Sequence, residues 1–190
     1  MSIRVWEYLS EYEQEREHIL AAVDRVFSSG VLVLGESVKS FEKEFASFCK
    51  VPDAVGVDNA TNGLFLALKA LGIGSGDEVI TVSNTAVPTV SAIEKAGAIT
   101  RFVDIDPHSC LMDVSQLESV ITPNTKAVIP VHLFGQCVDM TALMEVCKRK
   151  NIAVIEDCSQ SHGATHNGMP CGSIGDLGVF SFYPTKQITT

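Results

Sequence analysis

Apolar positions along the chain follow two spacings. Short runs that are apolar or β-branched at nearly every position occur at 54–58 (AVGVD), 78–83 (EVITVS), 99–105 (ITRFVDI), 126–134 (KAVIPVHLF), 152–158 (IAVIEDC) and 177–183 (LGVFSFY). Their length and composition predict strands. Runs that are apolar throughout, rather than alternating, predict a sheet buried on both faces. Between most of them apolar residues recur with helical spacing, at 62–71 (NGLFLALKAL), 87–97 (VPTVSAIEKAG), 114–121 (VSQLESVI) and 139–151 (DMTALMEVCKRKN). The third has Ser115 and Glu118 at capping-box spacing. The fourth opens on an aspartate and closes on basic residues, which suits both ends of a helix dipole. Strand and helix in alternation predict an α/β fold, a mostly parallel sheet sandwiched by helices.

Residues 11–50 carry helical periodicity (EHILAAVDRVF, SVKSFEKEFASFC) interrupted by SSGVLVLGES. The expected organisation is an N-terminal helical segment, 1–50, packing on an α/β domain over 51–190. A chain of 190 residues, 46% hydrophobic, is long enough for one sizeable core. The net charge of −9 disfavours nucleic acid or an anionic membrane as partner. The opening MSIRVWEYLSEYEQERE is too acidic for a signal peptide, and no apolar run reaches membrane-span length. The six cysteines (Cys49, Cys110, Cys137, Cys147, Cys158, Cys171) form no C-x-x-C pair. They are expected to be reduced thiols of a cytoplasmic protein, mostly core filler.

Two motifs lose their appeal in context. GIGSGD (72–77) has the look of a dinucleotide loop, but its glycines follow a helix and lead into a strand, so a helix stop and turn is expected. Asp104, Asp106 and His108 in DIDPHS lie at a strand exit with a proline, which is turn chemistry, and no metal site is expected.

The chemistry gathers after the strands, where ligands collect in parallel α/β sheets. NATNG (59–63) follows the first run, NTAVPT (84–89) the second, DCSQSHG (157–163) the fifth and YPTK (183–186) the last. The N–H groups of 60–62 and the Thr61 hydroxyl at a helix start suit an anion, while Asn59 or Thr61 equally suits a plain N-cap. Asp157 ends an apolar strand, where a carboxylate seeks a cationic partner or a capping role. Ser181 should face away from Phe180 and Phe182. Lys186, after a proline-restricted turn, is either solvated surface or an amine poised to attack a carbonyl. Phosphate cradle, buried carboxylate and Schiff-base lysine are together the parts that hold pyridoxal 5'-phosphate.

With these residues in view, the sequence resembles the PLP-dependent nucleotide-sugar aminotransferases of the DegT/StrS family, of fold type I. The resemblance runs through GDEVITVSNTAVPTVSAI, FVDIDP, TKAVIPVHLFGQCVDM, VIEDCSQSHGA and GDLGVFSFYPTKQIT. It implies that Lys186 bears the cofactor and Asp157 pairs with its pyridine nitrogen. Gln160 would contact the ring hydroxyl, Ala60, Thr61 and Ser181 the phosphate, and His162 would lie near the site. Ala60 departs from the family's usual glycine. Ala86 stands where the family commonly has an aromatic stacked on the pyridine ring, leaving Val87 or another group to cover it. The retained Lys186 argues against the sugar dehydratase branch, which replaces this lysine.

The implied activity is transfer of an amino group, from glutamate, to a nucleotide-linked ketosugar, in a homodimer serving amino-sugar biosynthesis such as that of lipopolysaccharide. Family members continue well beyond the Lys186 region into a small C-terminal domain. The chain is therefore expected to hold an incomplete large domain, with the small domain absent. An incompetent fragment that dimerises or binds PLP without turnover is the alternative. Another fold type I chemistry, such as cysteine desulfuration or β-elimination, is a further one.

Overall fold

A computed structural model describes residues 8–189; residues 1–7, within the stretch excluded above as a signal peptide, and Thr190 lie outside it. The described residues form two compact units, with the boundary between Gly56 and Val57.

The first unit is two helices, α1 (Tyr8–Ser29) and α2 (Glu36–Cys49), separated by the stretch expected to break the periodicity. Lys50 closes α2 in the left-handed conformation, and Ala46 and Cys49 are its buried residues. AVGVD is not a strand. The Gly56 N–H donates to the Glu42 carboxylate at 2.7 Å instead of entering a ladder, and Val55 is 80% exposed. Apolar composition without a pairing partner does not make a strand.

The second unit is built on a five-stranded parallel sheet in the order β2-β1-β3-β4-β7, where β1 is Glu78–Val82, β2 Ile99–Val103, β3 Thr125–Val128, β4 Ala153–Asp157 and β7 Leu177–Val179. Helices α3 (Ala60–Ala70) and α4 (Val87–Ala96) cover one face. There Leu64, Leu68 and Ile93 pack with Val79, Ile129, Ile155 and Val179. On the other face α5 (Val114–Val120) and α6 (Met140–Lys150) pack Leu117, Leu143 and Cys147 onto Ile80, Val128 and Val154. Both faces are therefore apolar, as the unalternating runs predict. The chain leaves β1 toward β2 and returns to β3 on β1's other side, so the strand order reverses between β1 and β3. That is where such sheets open a crevice at their carboxyl ends.

Three local expectations change. The α5 cap is Asp113, whose carboxylate accepts from the Ser115 N–H and hydroxyl, while Glu118 is drawn to Arg149 and Lys150. An Asx cap two residues before Ser115 outcompetes the capping box. Cys137 and Cys171 are paired as a disulfide with Cα atoms 6.4 Å apart, which corrects the all-thiol reading. They lie in the loop before α6 and just after Met169–Pro170, segments distant in sequence that the fold brings within bridging range. A short hairpin, β5 (Thr165–His166) and β6 (Met169–Pro170), was not expected. Its Asn167-Gly168 turn, with φ of 51° and 78° at the two residues, is the usual two-residue hairpin signal. GIGSGD is the turn expected, with Gly72 and Gly76 left-handed between α3 and β1. Asp106 likewise organises its own turn, accepting from the His108 and Ser109 N–H groups.

Candidate active site

Asp157 is the last residue of β4 and is 3% exposed. Its N–H donates to the Pro130 carbonyl, and its own carbonyl accepts from His132 N–H. The backbone is thus fixed between the β3 exit and β7. Side chains alternate along a strand, so Asp157 points with Ile155 toward α3 and α4, and Glu156 points the other way. Thr89, buried in the first turn of α4, donates to Asp157 Oδ2 at 2.8 Å, and the Ser159 N–H donates to Oδ1 at 3.1 Å. Thr85 Oγ1 lies 2.8 Å from Thr89 Oγ1. Thr89 has one hydroxyl proton and gives it to the carboxylate, so Thr85 must be the donor in that second bond. The result is a directed chain, Thr85 to Thr89 to Asp157. NTAVPT was singled out in the sequence, but Thr89 was not; its signal was a hydroxyl on the inward side of a helix start.

Glu156 is another residue that sequence reasoning missed. It is fully buried and accepts from His132 Nε2 and from the N–H groups of Gly172, Ile174 and Gly175, at 2.7–2.9 Å. Burial alone pushes its carboxyl up, but the bonds from His132, Gly175 and Gly172 outweigh this and hold it below the usual carboxylate range. The signal was an acid inside an apolar run, where only a saturated set of donors makes it tolerable.

After β7 the backbone leaves the ladder. The Ser181 Oγ accepts the Tyr183 N–H at 3.3 Å, and the Lys186 N–H donates to the Tyr183 carbonyl at 2.9 Å, closing a turn that carries Lys186. The predicted strand 177–183 therefore ends at Val179. Gln187 ties this turn to the loop after β4, through the Gln160 carbonyl at 2.9 Å and His162 Nδ1 at 3.1 Å. The His162 ring meets Phe180 and Phe182, at centroid distances of 5.4 and 5.3 Å. Burial, more than the nearby Lys186 charge, lowers the His162 pKa against the pull of Gln187 and Ser181. His162 Nε2 is buried without a hydrogen-bond partner.

Helix α3 packs on β4 and β7. Asn59 is its N-cap, accepting the Asn62 N–H at 2.9 Å, and its carbonyl accepts from Gly63. The Ala60 and Thr61 N–H groups precede the intrahelical ladder, so the Asn59 cap leaves them without an intrahelical partner. Ala86 is the N-cap position of α4, in extended conformation. A groove beside it is lined by Ser83, Ala86, Val87, Val90 and Phe102. The residues singled out in the sequence thus gather at the carboxyl ends of β1, β4 and β7 and at the start of α3. Among the described residues no helix is long and apolar enough to cross a membrane.

The chain is 53% identical over 188 residues to dTDP-3-amino-3,4,6-trideoxy-alpha-D-glucose transaminase of Micromonospora megalomicea subsp. nigra, covering 99% of this chain and 50% of that protein. It superposes on S. venezuelae DesV, solved in complex with a ketimine intermediate, with a TM-score of 0.94 and 39% identity, over 96% of this chain and 49% of that one. On NtdA of Bacillus subtilis, solved with bound cofactor PMP, the TM-score is 0.87 and the identity 32%, over 93% and 40% of the two chains. The chain spans about half the length of the curated relatives it matches. Residues 13–190 match the DegT/DnrJ/EryC1/StrS aminotransferase family, and the chain belongs to it.

Proposed function

We propose that this chain forms much of the cofactor site of a pyridoxal-phosphate-dependent aminotransferase acting on a nucleotide-linked ketosugar. The observation that carries the reading is the buried Asp157, aimed past α4 by Thr89 and Ser159, with the Lys186 turn tied to the same loop through Gln187.

The residues present suit the group. A buried carboxylate with ordered hydrogen bonds is the acceptor a pyridinium N–H requires. The α3 start offers two backbone N–H groups to a phosphate, and Thr61 adds a hydroxyl. Ser181 Oγ already accepts from Tyr183, which leaves its own proton to donate. Gln160 would reach the ring hydroxyl and Val87, 75% exposed beside Ala86, would cover the ring face. Bound there, pyridoxal phosphate supplies an electron sink for the donor's α-carbon.

The chain's own contribution is then to bind, orient and move protons. Asp157, held by its two donors, keeps the ring in one orientation. Lys186 Nζ would hold the cofactor and, in its free form, would take and return a proton. His162, neutral through burial, keeps a second positive charge away from that amine. The relative's name supports a nucleotide-linked sugar as acceptor. Glutamate as donor, a cytoplasmic location and a homodimer complete the reading. Exposed Leu20, Val23 and Phe27 on one side of α1 support association.

Addition of pyridoxal phosphate, borohydride reduction and peptide mapping test the site directly. A single adduct on Lys186 is expected; adducts spread over many lysines would sink the assignment. In the full-length enzyme Lys186→Ala should lower transamination by at least about 10³-fold, and retained turnover would remove Lys186 from the mechanism.

A further inference from the structure

Gln187 joins the segments that carry Lys186, Gln160 and His162, and its amide can face only one way. Nε2 donates to the Gln160 carbonyl at 2.9 Å. A carbonyl only accepts, so the NH₂ end must lie there and Oε1 must face His162 Nδ1, 3.1 Å away. An amide oxygen also only accepts, so Nδ1 must be the ring nitrogen bearing hydrogen. A neutral imidazole has one such hydrogen. Nε2 is therefore left with a lone pair, and it is the buried nitrogen without a partner. Phe180 and Phe182 fix the ring plane around it.

We propose that Gln187 is a positioning residue for the Lys186 turn. Its amide clamps the turn to the loop after β4 and sets His162 in the Nδ1–H form, with Nε2 bare and buried. Gln187 touches no reacting atom in this scheme; it acts through His162 and through the backbone of the turn. The effect on cofactor capture rests on the aminotransferase reading, whereas the tautomer does not.

Long-range ¹H–¹⁵N correlation of the histidine rings in the cofactor-free chain, above pH 7, reads the tautomer directly. The expected result is a protonated Nδ1 and a bare Nε2 at His162. A protonated Nε2, given to the Ser181 carbonyl, would overturn the proposal. Gln187→Met removes both amide bonds and should shift the ring toward the Nε2–H form. The same variant should weaken pyridoxal phosphate capture at Lys186 about fivefold, the effect of one net hydrogen bond. An unchanged tautomer in Gln187→Met also counts against it. Wild-type protein with the expected tautomer but no capture at Lys186 would instead indict the cofactor reading, which keeps the two failures apart.

Discussion

Thr89 shows how a single hydroxyl can hold the candidate site in shape. It gives its proton to a carboxylate that is 3% exposed, and a hydrogen bond to a charged buried acceptor contributes about 1.5–3 kcal/mol. Thr89→Val, nearly equal in volume, should therefore lower the unfolding free energy by about that much in urea, with an unchanged m-value. Thr85→Val breaks only the neutral link upstream and should cost about 1 kcal/mol. Equal losses for the two would mean that the directed chain does not exist. At this scale the sequence is legible only in part. Asp157, Ser181 and Lys186 announce themselves because they are polar residues at or just beyond the ends of apolar runs. Thr89 and Gln187 do not, since a threonine in a helix and a glutamine near a turn are ordinary until the fold supplies their partners.

The elements are easier to read than their ends. Both-face burial left a clear mark on β1, β3 and β4, and the helices fall within a few residues of expectation. The exceptions have physical causes. AVGVD has the composition of a strand but no neighbour to pair with, and the last strand stops when Ser181 captures the Tyr183 N–H. That last strand, β7, also depends on something no periodicity reveals. A Cβ at Gly178 would collide with the Gly172 backbone, lying 2.6 Å from its Cα and 2.9 Å from its carbonyl carbon. Contacts under about 3 Å with backbone cannot be relieved by a rotamer change. Gly178→Ala should displace the 172–175 loop or β7 and destabilise the unit by about 1–3 kcal/mol. Hydrogen exchange would locate the damage: protection should fall at the β4–β7 ladder and stay intact at β1–β2. Uniform loss across the sheet would contradict so local an origin.

Across the whole molecule the two adjacent acids of β4 divide the work between the two faces of the sheet. Asp157 is turned toward the candidate site. Glu156 is turned toward the opposite layer, where it gathers the His132 ring and three backbone N–H groups from the segment leading into β7. The His132 Nδ1 accepts from the Val138 N–H at 3.2 Å, so its proton lies on Nε2 and is given to Glu156. The carboxylate is thus the acceptor on which the loop before α6 and the loop before β7 converge. Because its folded pKa is lowered below the unfolded value of about 4.3, it binds its proton less readily folded than unfolded. The stability this contributes is fully present above that unfolded value and is lost as pH falls through the lowered folded one. Glu156's share of the unfolding free energy should therefore be constant from neutral pH down to about 5 and decline below it, while the lowered His162 adds a separate decline that begins below its unfolded value of about 6.5. Glu156→Gln presents an NH₂ to backbone donors and should cost about 3 kcal/mol at pH 7, while removing this group's share of the acid decline. If the variant proves too unstable to measure, carboxyl ¹³C titration of Glu156 in the wild-type chain decides the matter. A midpoint at or above the free-glutamate value would show that burial, not the four donors, governs this group.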